Sequence, residues 1–234
     1  MPAAVPRRRT ARDRVRAELT REIKEAARQQ LLDSGPAGLS LRAVARELGM
    51  ASSAVYRYFP SRDALLTALI VDSYDSLGSA AESAERRVDR ADLAGRWLAV
   101  GRAVREWAIA SPHEYALIYG SPVPGYAAPP DTIGPASRVA DLLIALLVDI
   151  GRAGAHARAD TTDVPEPVRA ALAPVRAAIP GEVSDDLLVR GLMAWTHVFG
   201  AVSFELFGQR QNVIGDYAVY FDYEMARVGT GLGI

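Results

Sequence analysis

SLRAVARELGMASSAVYRYFPSRDAL, Ser40 to Leu65, holds two short helical stretches separated by one glycine and closed by a proline. Ser40 supplies a hydroxyl cap for the first stretch. Its apolar residues Leu41, Val44, Ala45 and Leu48 then recur at helical spacing until Gly49 stops it. Gly49 brings the backbone freedom that a sharp corner needs, and a second helix is expected over Ala51 to Tyr58, with Ala54, Val55 and Phe59 packed inward. Pro60 ends that helix and Ser61 caps a third beginning near Arg62. The pattern is a helix-turn-helix over residues 40–59.

Ser52, Ser53, Tyr56 and Arg57 are left on the outside of this unit. Small hydroxyls stand at the helix start, where base edges are approached, followed by a phenol and a guanidinium that reach phosphate or guanine. Arg62 adds a full charge at the positively polarised start of the third helix. The competing role for Tyr56, Tyr58 and Phe59 is core packing, which suits Phe59 better than Tyr56.

These residues resemble the TetR (tetracycline repressor) family of bacterial regulators. Ser40, Leu41, Arg42, Val44, Ala45, Gly49, Met50, Val55, Tyr56, Tyr58, Phe59, Arg62 and Leu65 occupy the family's pattern. Ala51 stands where Ser is common, Tyr58 where His is common and Arg62 where Lys is common, and none of these removes a donor class. The resemblance implies an all-α chain with a three-helix DNA-binding head at 14–75 and a larger helical body for effector binding and dimerisation at 76–234. The expected DNA-binding residues are Ser40, Leu41, Arg42, Ser52, Ser53, Tyr56, Arg57, Tyr58 and Arg62.

Charge supports the same division. Residues 1–62 carry 13 Lys plus Arg against 6 Asp plus Glu, a net +7, while the remainder carries 14 against 22, a net −8. The overall charge of −1 hides a basic head suited to a polyanion. Arg7, Arg8, Arg9, Arg12, Arg14 and Arg16 follow a start without apolar periodicity, so a disordered arm is expected over the first ten or so residues. Such an arm fits a minor groove or serves as a solvated tail. No apolar stretch follows these arginines, so they do not form a secretory signal.

At 234 residues, 50% hydrophobic and 24% charged, the chain has room for a small and a larger domain. No apolar run approaches the ~20 residues of a membrane helix, with Asp149, Arg152, His197 and Glu205 interrupting the longest segments. There is no cysteine, which excludes disulfides and thiolate chemistry and fits a cytoplasmic protein. His113, His156 and His197 are too scattered for a zinc site, so neither metal nor cofactor is expected. The single Lys24 against 26 Arg reflects composition rather than function.

Helical spacing continues on both sides of the motif. Arg14 to Leu32 predicts the first head helix, ended by Gly35-Pro36, and Arg62 to about Arg87 predicts a long helix leading from head to body. Further helices are expected from Leu93 to Ile109 with Asp92 as cap, Pro112 to Tyr119, Ile133 to Ala153, Pro167 to Ala178, Ser184 to Phe207 and Val213 to Val228. Gly120 to Pro135 and Gly154 to Pro167 read as long loops. Nine or ten helices and no sheet result.

Leu187 to Phe207 is apolar over more than one core-facing stripe, which implies two partners. By the family resemblance, the helices at 185–207 and 213–228 pair with those of a second subunit. A symmetric dimer would then present two heads to a palindromic operator. Trp195 to Gly208 also resembles a C-terminal subgroup named for Trp, His and Gly (WHG), although Phe199 stands where its His is expected. An unidentified effector is implied, and the candidates to line its pocket are Trp97, Trp107, Tyr115, Tyr119, Tyr126, Trp195 and His197. Each of these also suits simple core packing.

An enzyme is not expected. The chain has no Gly-rich phosphate loop, nucleophile elbow or metal constellation, and the carboxylates Asp185-Asp186 and Asp160 with Asp163 suit a helix start and a solvated loop. The expectation is therefore a homodimeric repressor released by a small molecule. A regulator without an effector, and an activator, stand as alternatives.

Overall fold

The computed structural model describes residues 10–154, 163–179, 181 and 183–234. Arg7, Arg8 and Arg9 of the basic start, and His156 and Asp160, lie outside the described residues. Among the described residues the regular structure is helical, without a strand. The helices are α1 (Ala11–Ser34), α2 (Leu41–Glu47), α3 (Ser52–Val55), α4 (Arg62–Glu85), α5 (Leu93–Ala110) and α6 (Pro112–Tyr119). They continue with α7 (Ile133–Arg152), α8 (Glu166–Ala171), α9 (Ala173–Arg176), α10 (Asp185–Leu206) and α11 (Tyr217–Leu232).

The chain divides into two compact units. One, the head, holds the residues up to Asp72 together with Gly120–Thr132; the other, the body, holds Ser73–Tyr119 and Ile133–Ile234. The inclusion of 120–132 in the head unit has no counterpart in the sequence reading.

In the head, Thr10 and Asp13 form a reciprocal capping box, which starts α1 three residues earlier than apolar periodicity predicts. Ile23, Ala26, Ala27 and Leu31 of α1, Leu41, Val44 and Ala45 of α2, Val55 and Phe59, and Leu65, Leu66 and Leu69 of α4 are all buried. Gly49 takes a φ of +64° at the corner, a conformation that costs other residues a steric clash. Lys24 and Arg28 clasp Asp72 at 2.8 and 3.0 Å, fixing α4 against α1.

In the body, α5 lies among α7, α10 and α11 around Val100, Val104, Leu146, Leu187, Val198 and Met225. Three boundaries differ from the sequence reading. The Pro167 to Ala178 segment divides into α8 and α9 at Leu172. The last helix starts at Tyr217 rather than Val213, because Asp216 accepts hydrogen bonds from the Ala218 and Val219 N–H groups and Asn212 is left-handed at φ +65°. It also runs through Gly229 to Leu232. At position 229 a Cβ would come within 3.1 Å of Trp97 Cδ1, so this glycine serves close packing rather than termination.

The expectation that no segment reaches membrane-helix length is corrected at α10. Its 22 residues are long and apolar enough to cross a membrane by length and composition. The apolar content has another account, since Leu187, Leu188, Ala194, Val198 and Val202 lie in the body core. Glu205 near its end is bound by Arg105 at 2.7 and 2.6 Å.

Candidate nucleic-acid interface

The second helix of the motif has only one regular turn. Ser52 to Val55 is α-helical, after which Arg57 N donates to Ala54 O and Tyr58 N to Val55 O, tightening the chain toward Phe59. Val55 is fully buried and Phe59 is 6% exposed, so this short piece is anchored by its apolar residues. Ser53, Tyr56 and Arg57 remain outside, with Tyr56 44% exposed, and Ser52 is half-buried. Arg42 on α2 is exposed as well. The unit therefore offers hydroxyls, a phenol and guanidiniums on a surface whose reverse side is core.

Four of the sequence-derived DNA residues have other engagements. Leu41 is 4% exposed and belongs to the head core, which removes it from the contact set. Ser40 caps α2 by accepting from Ala43 N, and its own N–H donates to Gln30 Oε1 at 3.1 Å. Arg62 donates to the Pro36 carbonyl at 2.8 Å and pairs with Asp63 at 3.2 Å, so it ties the start of α4 to the preceding turn rather than standing free for phosphate. Tyr58 is half-buried beneath Arg16, whose guanidinium carbon is 5.2 Å from the ring centroid. Arg12, Arg16, Arg42, Arg46 and Arg57 are all exposed and form no ion pair with a described residue.

The seven residues expected around an effector do not converge on one space. Trp97 is 2% exposed and its Nε1 donates to Met225 O at 2.7 Å; Trp107 Nε1 donates to Ser76 Oγ at 2.9 Å. Tyr115 is fully buried, with its hydroxyl 2.8 Å from Ser203 Oγ and donating to Phe199 O at 3.0 Å. These three are core residues whose polar ends are already satisfied. Tyr126 belongs to the head unit, where its hydroxyl lies 2.9 Å from Thr67 Oγ1. The surrounding loop, rich in Pro and Gly, gave no signal of that placement.

Tyr119 stacks on Phe199 at 4.4 Å and on Tyr115 at 5.1 Å, with Tyr74 edge-on at 6.1 Å. Burial is the main cause that pushes its phenol well above the ordinary tyrosine range. Trp195 meets Phe199 edge-on and closes one end of a cavity of about 70 Å³ bounded by α7, α10 and the segment from Val175 to Ile179. Leu143, Leu147, Leu188 and Leu192 form much of its wall, and every residue around it is apolar. His197 lies elsewhere, 3.1 Å from Glu224, which Arg210 also holds at 3.0 and 3.1 Å.

The body also exposes large apolar side chains on its last two helices. Met193 and Phe204 follow one stripe of α10, with Phe207 at its C-cap, and Val219, Tyr220 and Tyr223 follow one face of α11. Several charged groups elsewhere in the body are paired with one another. Arg96, 1% exposed, donates to Glu85 at 2.6 Å and Asp149 at 2.8 Å. Burial works to lower its pKa, but hydrogen bonds to Asp149 and Glu85 outweigh that and raise it.

Comparison with known proteins matches the chain in two segments. Residues 23–69 match the family described as bacterial regulatory proteins, tetR family, and residues 97–228 match the tetracyclin repressor-like C-terminal domain. The Trp-His-Gly subgroup does not enter that description. The chain is 43% identical over 224 residues to the HTH-type transcriptional regulator Rv1816 of Mycobacterium tuberculosis, covering 93% of this chain and 92% of the relative. The Mycobacterium bovis regulator Mb1846 shows the same identity and coverage. The crystal structure of SCO4313 superposes with a TM-score of 0.75 at 37% identity, covering 94% of this chain and 98% of that one. A Rhodococcus sp. RHA1 structure shares the fold, with a TM-score of 0.69 at 23% identity over 99% and 100% of the two chains.

Proposed function

The chain belongs to the tetR family of bacterial regulatory proteins, and from that premise we propose that it is a homodimeric repressor that leaves a palindromic operator when a small molecule binds its body. It is a helix-turn-helix transcriptional regulator and not an enzyme. The observation that carries the DNA reading is the α3 turn, which keeps Ser53, Tyr56 and Arg57 outward while Val55 and Phe59 anchor it. Ser52, Ser53, Tyr56 and Arg57 are the base-reading and nearby phosphate residues in this proposal, with Arg42 as a flanking phosphate contact.

Dimerisation draws support from the exposed stripes of α10 and α11. Met193, Val219 and Tyr223, at 66%, 68% and 66% exposure, offer self-complementary apolar surface of the kind an isologous interface covers. The effector reading draws on the cavity beside Trp195. With an almost wholly apolar wall, it suits the hydrocarbon end of a ligand, whose entry would enlarge it by moving the α9 segment. Because α4 is one unbroken helix from Arg62 to Glu85, a change in the body would reach the head through it. An effect of ~1–3 kcal/mol on the binding equilibrium makes a useful switch.

A regulator without a small-molecule effector is the second reading, and the satisfied core roles of Trp97, Trp107 and Tyr115 favour it. Selection of bound sequences from a random DNA pool at fixed salt tests the first part. Enrichment of one palindrome supports dimeric recognition, and no enrichment overturns it. Challenge of that complex with amphiphiles carrying short hydrocarbon ends then separates the readings, since release supports an effector and indifference to the whole series supports its absence.

A further inference from the structure

The side of the head next to the recognition turn carries an open groove of about 520 Å³ between the first turns of α1 and the Arg57–Tyr58 segment. Arg12, Val15, Arg16, Arg57 and Tyr58 line it. The capping box makes Arg12 and Arg16 residues of a regular helix, one turn apart on the same face. Asp13, the acid in the groove, is held by Thr10, its Oδ2 accepting from the Thr10 N–H at 3.0 Å and hydroxyl at 2.8 Å. The three guanidiniums are exposed and form no ion pair with a described residue. Arg16 lies over the Tyr58 ring, and Val15, 60% exposed, borders the space without competing for charge.

A concentration of uncompensated guanidiniums around an open groove calls for a polyanion. Arg57 directly follows Tyr56 on the proposed base-reading surface, so the polyanion nearest at hand is the backbone of the same duplex. We propose that this groove receives backbone phosphates flanking the bases read by α3, with Arg12 and Arg16 as their ligands and Tyr58 as the platform that positions Arg16. The assignment rests on the DNA-binding reading above. It gives Tyr58 a positioning role in place of direct contact. A planar guanidinium resting on a ring keeps its N–H edges free and loses less freedom on meeting phosphate.

Phosphate contacts release counterions and carry no sequence information, so the test reads salt dependence and specificity together. Full-length protein is titrated with its selected operator and with an unrelated duplex between about 50 and 200 mM salt. Arg16→Ala is expected to reduce the steepness of log K against log salt by about 1, and Arg12→Ala with Arg16→Ala by up to about 2. Both duplexes lose affinity by the same factor. Tyr58→Leu keeps apolar volume and is expected to reproduce part of the Arg16→Ala change with an unaltered operator preference. Arg21→Ala, the loss of an α1 charge that pairs with Glu18 and lies outside the groove, leaves the steepness unchanged. An unchanged slope for the double variant, or a loss confined to the operator, overturns the phosphate assignment. Failure of the unaltered protein to bind either duplex overturns the DNA reading itself.

Discussion

Two sets of arginines in this chain do opposite work, one in the body and one in the head. In the body, Arg96, Arg102, Arg105, Arg138 and Arg210 each meet a carboxylate, at distances from 2.6 to 3.0 Å; the first four bind helices to one another and the last binds the segment before α11 to that helix. In the head, Arg12, Arg16, Arg42, Arg46 and Arg57 face solvent without such a partner. A paired guanidinium is a structural fastener whose loss strands a carboxylate, whereas an unpaired one is an offer to an external anion. Net charge alone does not distinguish the two. The distinction lies in where the acids are.

The strongest attack on this comparison is Arg96→Ala. Removing a buried guanidinium leaves Glu85 without its cation and Asp149 with Arg90 alone, and a stability loss of about 3–5 kcal/mol is expected in denaturant unfolding. Arg42→Ala, in the head, should change stability by less than about 0.5 kcal/mol. Equal effects would erase the contrast.

Tyr56→Phe with Arg57→Ala comes next. It should lower operator affinity by about tenfold to a hundredfold, a loss of about 1–3 kcal/mol, while sedimentation shows the same oligomer. Unchanged affinity would move the interface away from α3.

Smaller effects come from the caps. Asp216→Ala removes the acceptor for two N–H groups at 3.0 and 3.1 Å and should cost about 1 kcal/mol, whereas Ser40→Ala loses one longer bond of 3.4 Å and should cost less. The reverse order, read from unfolding midpoints, would contradict the view that the body's helices are fastened more tightly than the head's.

The smallest effect concerns acid. Hydrogen bonds from Arg138 are the main cause that holds the Glu82 pKa below its ordinary value of 4.5. A lowered folded-state pKa stabilises the fold above the unfolded value, and that contribution disappears as the pH falls through the folded value. Glu82→Gln should therefore flatten stability against pH below about 4.5 and leave the neutral plateau nearly parallel to that of the unaltered protein.

Most of the head was legible because its signals are local. The Ser40 cap, the Gly49 corner and the apolar spacing of Leu41, Val44 and Ala45 lie within ten residues of one another. What escaped depends on distant partners. Arg62 looks free until Pro36 supplies its carbonyl, and Tyr126 looks like a pocket residue until Thr67 meets it. In the body, helix positions follow from periodicity, but nothing local distinguishes a tryptophan with a buried acceptor, such as Trp97, from one at the edge of a cavity, such as Trp195. The late start of α11 was hidden because Val213 and Ile214 continue the apolar spacing outside the helix.

In the proposed recognition mode, the single turn of α3 limits how much sequence one head would read. Four helical residues rise about 6 Å, less than two base-pair steps of roughly 3.4 Å. So short a text recurs throughout any genome, and one head alone would rest at countless addresses. In the proposed dimer, selectivity would come from requiring two short words at a fixed separation, because the probabilities of their chance occurrence multiply. A vocabulary of that kind is also easily acquired: a few base changes near a promoter create a new address, and a few more erase it.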